Sequence, residues 1–220
     1  LAGLSVSARK TLSTMGAELS CEFATFEADD VLADYLKKCG AAAIEPAHPD
    51  RDASYFDVRK LDLSTLEPLV ALPDSVLRNS RPISEVAGTH VDQAFIGSCA
   101  NGTLDDLTLA AQVLAGRKVS AGTRLIVTPG SQHVYLQALR SGVIATLAEA
   151  GAVITNPTCG ACGGGHMGVL GPDEVCITAS TRNFKGRMGD PSAKIYMASP
   201  ATVAASAIKG AIAHPGEFLH

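Results

Sequence analysis

Apolar residues recur at helical spacing through the first forty positions. Leu4, Ala8, Leu12 and Met15 fall on one face, and after the acidic start Glu27-Ala-Asp-Asp30 a second run places Val31, Leu32, Tyr35 and Leu36 together. The spacing predicts helix from Ser5 to Cys39, closed by Gly40 as a residue just past a helix end. Glu45 to Ser54 carries Pro46 and Pro49 and reads as a loop. The segment Phe56-Asp-Val-Arg-Lys-Leu-Asp-Leu63 alternates apolar and polar residues, the period of a half-buried strand. Leu72 to Glu85, with Pro73, Asn79 and Pro82, is turn-rich and reads as a linker. The expected division is therefore 1–81, part of one α/β domain with its linker, and 82–220, a second domain.

Beyond the linker, short apolar runs alternate with helical periods. Strands are expected at Val91 to Gly97, Arg124 to Thr128, Val153 to Ile154, Val175 to Ala179 and Lys194 to Ala198. Helices are expected at Leu104 to Ala115, Val134 to Leu139, Val143 to Ala150 and Ala201 to Ile208. This order predicts an α/β fold, a mostly parallel sheet flanked by helices on both faces, with function in the loops at the carboxyl ends of the strands.

Composition narrows the function. Apolar residues make up 46% of the 220 positions, enough to fill a core. The formal charge is −4, with neither a basic excess nor a basic stripe, which argues against nucleic acid as a partner. No apolar run approaches the roughly 18 residues of a membrane span. Leu1 to Arg9 lacks the charged-then-apolar order of a secretory signal, so the expectation is a cytosolic protein. Six cysteines, at 21, 39, 99, 159, 162 and 176, are too sparse for a disulfide scaffold. Cys21, Cys39 and Cys176 read as buried small hydrophobes. His48, His90, His133, His214 and His220 show no metal spacing, and His166 reads equally as a backbone-bonded loop residue or a neighbour of the cysteine pair.

Chemistry gathers at three strand ends: Gly97-Ser-Cys-Ala-Asn-Gly102, Thr158-Cys-Gly-Ala-Cys-Gly-Gly-Gly165 and Thr181-Arg-Asn-Phe-Lys-Gly-Arg187. Glycines beside a cysteine let backbone approach a bulky inorganic group and point amide N–H groups at it. Cys159 and Cys162 can ligate one centre, with Cys99 as a third thiolate. Structural zinc wants four ligands and lacks a second close pair here. A thioredoxin-type pair would open a helix, for which three glycines after Cys162 are a poor start. An iron–sulfur cluster with one open iron matches three thiolates. On spacing alone a cluster, zinc and inert thiols all remain open.

In that order, Ile96-Gly-Ser-Cys-Ala-Asn-Gly102, Pro157-Thr-Cys-Gly-Ala-Cys-Gly-Gly-Gly-His166 and Arg182-Asn-Phe-Lys-Gly-Arg-Met-Gly189 resemble the cluster-binding half of the aconitase superfamily. The resemblance is strongest in the branch of large subunits that act on 3-isopropylmalate and homoaconitate. Leu61 to Pro73 and Ile195 to Ala207 extend it over essentially the whole chain. It implies a [4Fe-4S] cluster held by Cys99, Cys159 and Cys162, whose open iron acts as a Lewis acid on a substrate hydroxyl. It also implies carboxylate-gripping roles for Arg182 and Arg187, and cluster-adjacent polar roles for Ser98, Asn101 and Thr181. A guanidinium suits the first task, since it pairs bidentately with carboxylates and stays charged. Thr181 stands where the family motif has asparagine, and Thr14 departs in the same way, giving one hydroxyl donor where an amide has two.

The implied activity is that of a hydro-lyase that isomerises a hydroxy-di- or tricarboxylate, 3-isopropylmalate-like, by dehydration and rehydration in amino-acid (leucine) biosynthesis. Leu1 to Glu18 resembles a segment midway through the large subunit. The resemblance therefore implies as partners an N-terminal half carrying the acid–base residues and a separate small subunit. No catalytic acid or base is expected in this chain. The rival reading is a noncatalytic iron–sulfur module or a truncated, inactive relative.

Overall fold

The computed structural model describes residues 3–42 and 45–219. The chain divides into two units, Leu1–Glu67 and Pro68–His220. In the first, Ser5 caps helix α1 (Val6–Met15) by accepting from the Ala8 N–H at 3.2 Å. The helix does not run on to Cys39 as expected. It tightens into a 3-10 turn, Gly16–Leu19, and stops where Ser20 adopts φ 57°. Helix α2 (Asp30–Lys38) starts afresh at Asp29, whose carboxylate caps the Leu32 N–H at 3.1 Å. Gly40, at φ 73°, closes it in the expected manner.

The strand expected over 56–63 does not form. Among the described residues the first unit contains no strand at all, so it is helical and extended rather than α/β. Period-two alternation shows which side chains would share a face, but a strand also needs a neighbour for its N–H and C=O groups, and none pairs with this segment. Phe56, Val58 and Leu61 are left exposed.

The second unit opens with a hairpin where the linker was expected. Strands β1 (Leu69–Ala71) and β2 (Ser80–Pro82) pair antiparallel, and the Asn79 side-chain amide ties the turn by donating to the carbonyls of Leu72, Pro73 and Ser75. Pro82 is tolerated because β2 is an edge strand. The break in the chain therefore falls at Glu67 and Pro68 rather than at 81 and 82.

Next come strand β3 (Gln93–Gly97), the short helix α3 (Ser98–Asn101), helix α4 (Leu104–Leu114), strand β4 (Arg124–Thr128), helices α5 (Gln132–Arg140) and α6 (Val143–Glu149), and strand β5 (Val153–Ile154). Strands β6 (Val175–Thr178) and β7 (Lys194–Met197) and helix α7 (Pro200–Lys209) complete the sheet and its cover. The sheet order is β2-β1-β7-β6-β3-β4-β5, with β7 through β5 parallel and the hairpin antiparallel at one edge.

Side chains alternate between two cores. Ala94, Ile96, Leu125, Val127 and Ile177 face α4, α6 and α7, while Phe95, Ile126, Cys176 and Ile195 face the other way. The helices expected on both faces occupy only one. Crossovers between parallel strands are right-handed, so the steps β3 to β4 to β5 put their connections on one face, and the reversed steps β5 to β6 to β7 put theirs on the other. Those reversed connections are the cysteine and arginine segments, too rich in glycine to form helices, and their Ala161, Cys162, Leu170, Met188 and Ala193 close the second core.

Candidate active site

Strand order reverses between β3 and β6, since the chain first travels outward through β4 and β5 and then returns to the far side of β3. Ligands of open α/β sheets bind at such a switch, outside the carboxyl ends of the strands. The short helix α3 after β3 carries Cys99 and the loop after β6 carries Thr181 and Arg182, so two of the three motifs flank the switch directly. Asn101 joins them, its side-chain amide donating to the Ala179 carbonyl at 2.5 Å. Ser98, Asn101 and Thr181 are buried and hold the loops, whereas Cys99 is exposed.

The third motif forms a 3-10 turn, Gly160–Gly163, that packs on β3. Gly160 has φ 53°, and a Cβ there would meet the Thr128 hydroxyl at 2.6 Å and the Phe95 ring at 3.3 Å. Only glycine lets the turn settle that low on the strand ends. The Thr128 hydroxyl is itself paired with that of Thr155 at 2.7 Å. Cys162 is buried by this packing, and Cys159 remains exposed.

The cysteine and arginine segments are fastened side by side. Leu170 N–H donates to the Met188 carbonyl at 2.8 Å, and Asp190 N–H donates to the Leu170 carbonyl at 2.9 Å. The Arg187 Nη2 donates to the Cys162 Sγ at 3.8 Å, and its guanidinium lies 5.4 Å from the centre of the Phe184 ring. Its Nε is buried with no hydrogen-bond partner. Arg182 turns back on its own strand end, Nη1 donating to the Thr181 carbonyl at 2.6 Å. Asn183 is fully buried and anchors the loop to the hairpin through a 2.7 Å bond to the Leu72 carbonyl.

Several supporting residues escaped the sequence reading. Gln93 is fully buried at the start of β3 and holds the Gly168 carbonyl at 2.8 Å, bracing the segment beyond the cysteine turn. A lone glutamine inside an apolar strand was the available signal. Thr128 gave none, and Asn183 and Phe184 were seen only as members of the arginine motif, because their individual roles depend on segments brought from elsewhere in the chain. Asp106 sits in a capping box with Thr103, and Glu174 bonds Arg124 at 2.7 Å. Both acids therefore have structural partners. His166 is exposed, His90 bonds Asp92 at 2.9 Å, and His220 lies outside the described residues.

One cysteine expectation needs correction. Cys21 and Cys39 are exposed rather than buried, since each follows the end of a helical segment rather than sitting on a packed face. Among the described residues no group of three or more His, Cys, Asp or Glu stands close enough to hold a single metal ion. The site nonetheless suits an anionic metal–sulfide group in its soft thiol donors and in the partnerless buried N–H of Arg187. No helix among the described residues is long and apolar enough to cross a membrane.

Comparison with known proteins agrees with the geometry. Residues 1–85 and 75–210 match the model of the aconitase family (aconitate hydratase). The chain is 59% identical over 96% of its length to the 3-isopropylmalate dehydratase large subunit of Mycolicibacterium smegmatis, of which it covers 50%. It is 48% identical over 98% of its length to 3-isopropylmalate dehydratase large subunit 2 of Archaeoglobus fulgidus, covering 52% of that protein. With the probable methanogen homoaconitase large subunit of Methanothermobacter thermautotrophicus it shares 44% identity over 96% of its length, covering 49%. The chain thus spans about half the length of these relatives. A family match across both units, carried in the second by a parallel sheet with its cysteine and arginine loops at the strand switch, makes the chain a member of the aconitase family.

Proposed function

We propose that this chain is the cluster-carrying part of an aconitase-type hydro-lyase that isomerises a 3-isopropylmalate-like hydroxy acid by removing water and adding it back in the other orientation. The substrate class follows the names of the relatives. Cys99, Cys159 and Cys162 would hold a [4Fe-4S] cluster, which when bound supplies a Lewis acid for the substrate hydroxyl. Arg182 and Arg187 bind and orient carboxylates, each a permanent cation with a planar donor fork. Asn101 keeps the loop bearing Cys99 in register with the arginine loop. Phe184 supports the Arg187 guanidinium from its ring face. Proton transfer to and from substrate carbon and oxygen falls to groups outside these residues, on the rest of a large subunit and on a small subunit.

The observation that carries this reading is the contact between the two motifs: the Arg187 guanidinium, a carboxylate-binding group, donates to the sulfur of Cys162. Iron and acid-labile sulfide analysis of anaerobically reconstituted protein tests it. The expected result is both elements bound, with loss of both in Cys99→Ser, Cys159→Ser and Cys162→Ser. Wild-type protein that takes up zinc alone, or nothing, sinks the proposal.

A further inference from the structure

A guanidinium has two ways to present paired donors: its end, through Nη1 and Nη2, and its side, through the parallel Nε–H and Nη2–H. In Arg187 the Nη2 tine of the side edge, which is shared with the end, donates to the Cys162 Sγ at 3.8 Å. The other tine of that edge, Nε–H, is buried and has no partner. A buried N–H without an acceptor is strongly unfavourable, so its position calls for an acceptor beside the Cys162 sulfur. Neighbouring groups hold the edge there. Phe184 covers the guanidinium at 5.4 Å, and the Arg187 carbonyl occupies the space a Cβ of Gly164 would need, at 2.5 Å. The arginine is thereby fixed to the cysteine turn by its backbone as well as by its side chain.

We infer that Arg187 is a cluster-supporting residue as well as a carboxylate-binding one: its Nη2 donates to the Cys162 sulfur and its Nε–H to a second sulfur acceptor beside it, which leaves Nη1 for substrate. The inference rests on the reading that this site holds an iron–sulfur cluster. Hydrogen bonds to cluster sulfurs stabilise the more negative, reduced form and raise the reduction potential. Lysine keeps the charge but cannot present two parallel donors, so it should lose this effect.

The test uses the full chain, reconstituted anaerobically with ferrous iron and sulfide, without substrate. Wild type, Arg187→Lys and Arg187→Gln are compared by redox titration and by the rate of iron loss to a chelator. Both variants should show a lower midpoint potential and lose iron about 10-fold faster, as expected when an outer-shell partner of a metal ligand is removed. If the glutamine variant does not fold, the lysine variant carries the comparison, and melting of the metal-free forms checks the fold. Equal potentials and equal iron loss, with binding of a dicarboxylate weakened, would show that Arg187 serves substrate alone and overturn the inference. Failure of wild type to take up iron and sulfide would instead overturn the reading of the site, and the inference with it.

Discussion

Gly164 admits the Arg187 carbonyl to the place where any other residue carries its Cβ, and does so at φ 67°. Gly164→Ala therefore meets a backbone atom and a strained conformation together. Forced left-handed geometry alone costs about 1–3 kcal/mol, so the denaturation midpoint should fall by a corresponding amount, and an unchanged midpoint would show that the two loops part without cost. The cysteines differ as sharply from one another. Burial pushes the Cys176 thiol far above its ordinary range, while Cys21, Cys39, Cys99 and Cys159 are exposed. In metal-free protein a thiol reagent should label those four promptly and Cys176 only on unfolding. Prompt labelling of Cys176 would mean that the second core opens in the native state.

Asp29 serves two elements at once, capping α2 and accepting from Arg9 on α1 at 2.8 and 2.7 Å. The Arg9 hydrogen bond, followed by that from the Leu32 N–H, holds the Asp29 carboxyl down at about 2 from its ordinary 3.8. A depressed carboxyl stabilises fully above its unfolded pKa and stops doing so as pH falls through the folded one. Helicity of the first unit should therefore decline between about pH 4 and pH 2, and Asp29→Asn should remove that part of the slope. A wild-type signal that stays flat over this window would show that the pair does not link the helices. The strands of the second unit were legible because buried parallel strands are continuous apolar runs, as Ala94-Phe-Ile96 and Leu125-Ile-Val127 are. The hairpin was not, because three bonds from the Asn79 side chain turn a proline-containing stretch that looks like a linker.

Whole-molecule order is where sequence is least informative. Local periodicity placed Gly97, Thr128 and Ile154 at strand ends, yet the return of the chain from β5 to β6 is a long-range pairing that no window of residues encodes. The motifs were legible as residue patterns, whereas the bracing roles of Gln93 and Asn183 depend on partners 75 and 111 positions away. At this scale two of the acids near the motifs are committed elsewhere: Asp106 caps a helix and Glu174 bonds Arg124. General acid–base catalysis is worth about 10² to 10⁴ in rate per group, so the isolated 220 residues should show no measurable hydration or dehydration even when loaded with iron and sulfide. Activity is expected only on adding the complementary part of a large subunit and a small subunit. Turnover by the chain alone would mean that a proton-transfer group within it has gone unrecognised.

The reversal of strand order also separates what heritable variation can alter independently. Leu107, Leu114, Val203 and Ala207 lie on the helical side of the sheet, and the cysteine and arginine segments lie on the other. Adaptation to a hotter or colder habitat can proceed through the first set while the second stays constant. A library randomised at those four positions should scatter widely in melting temperature yet keep a common affinity for iron, a division of labour between the two sides of one sheet.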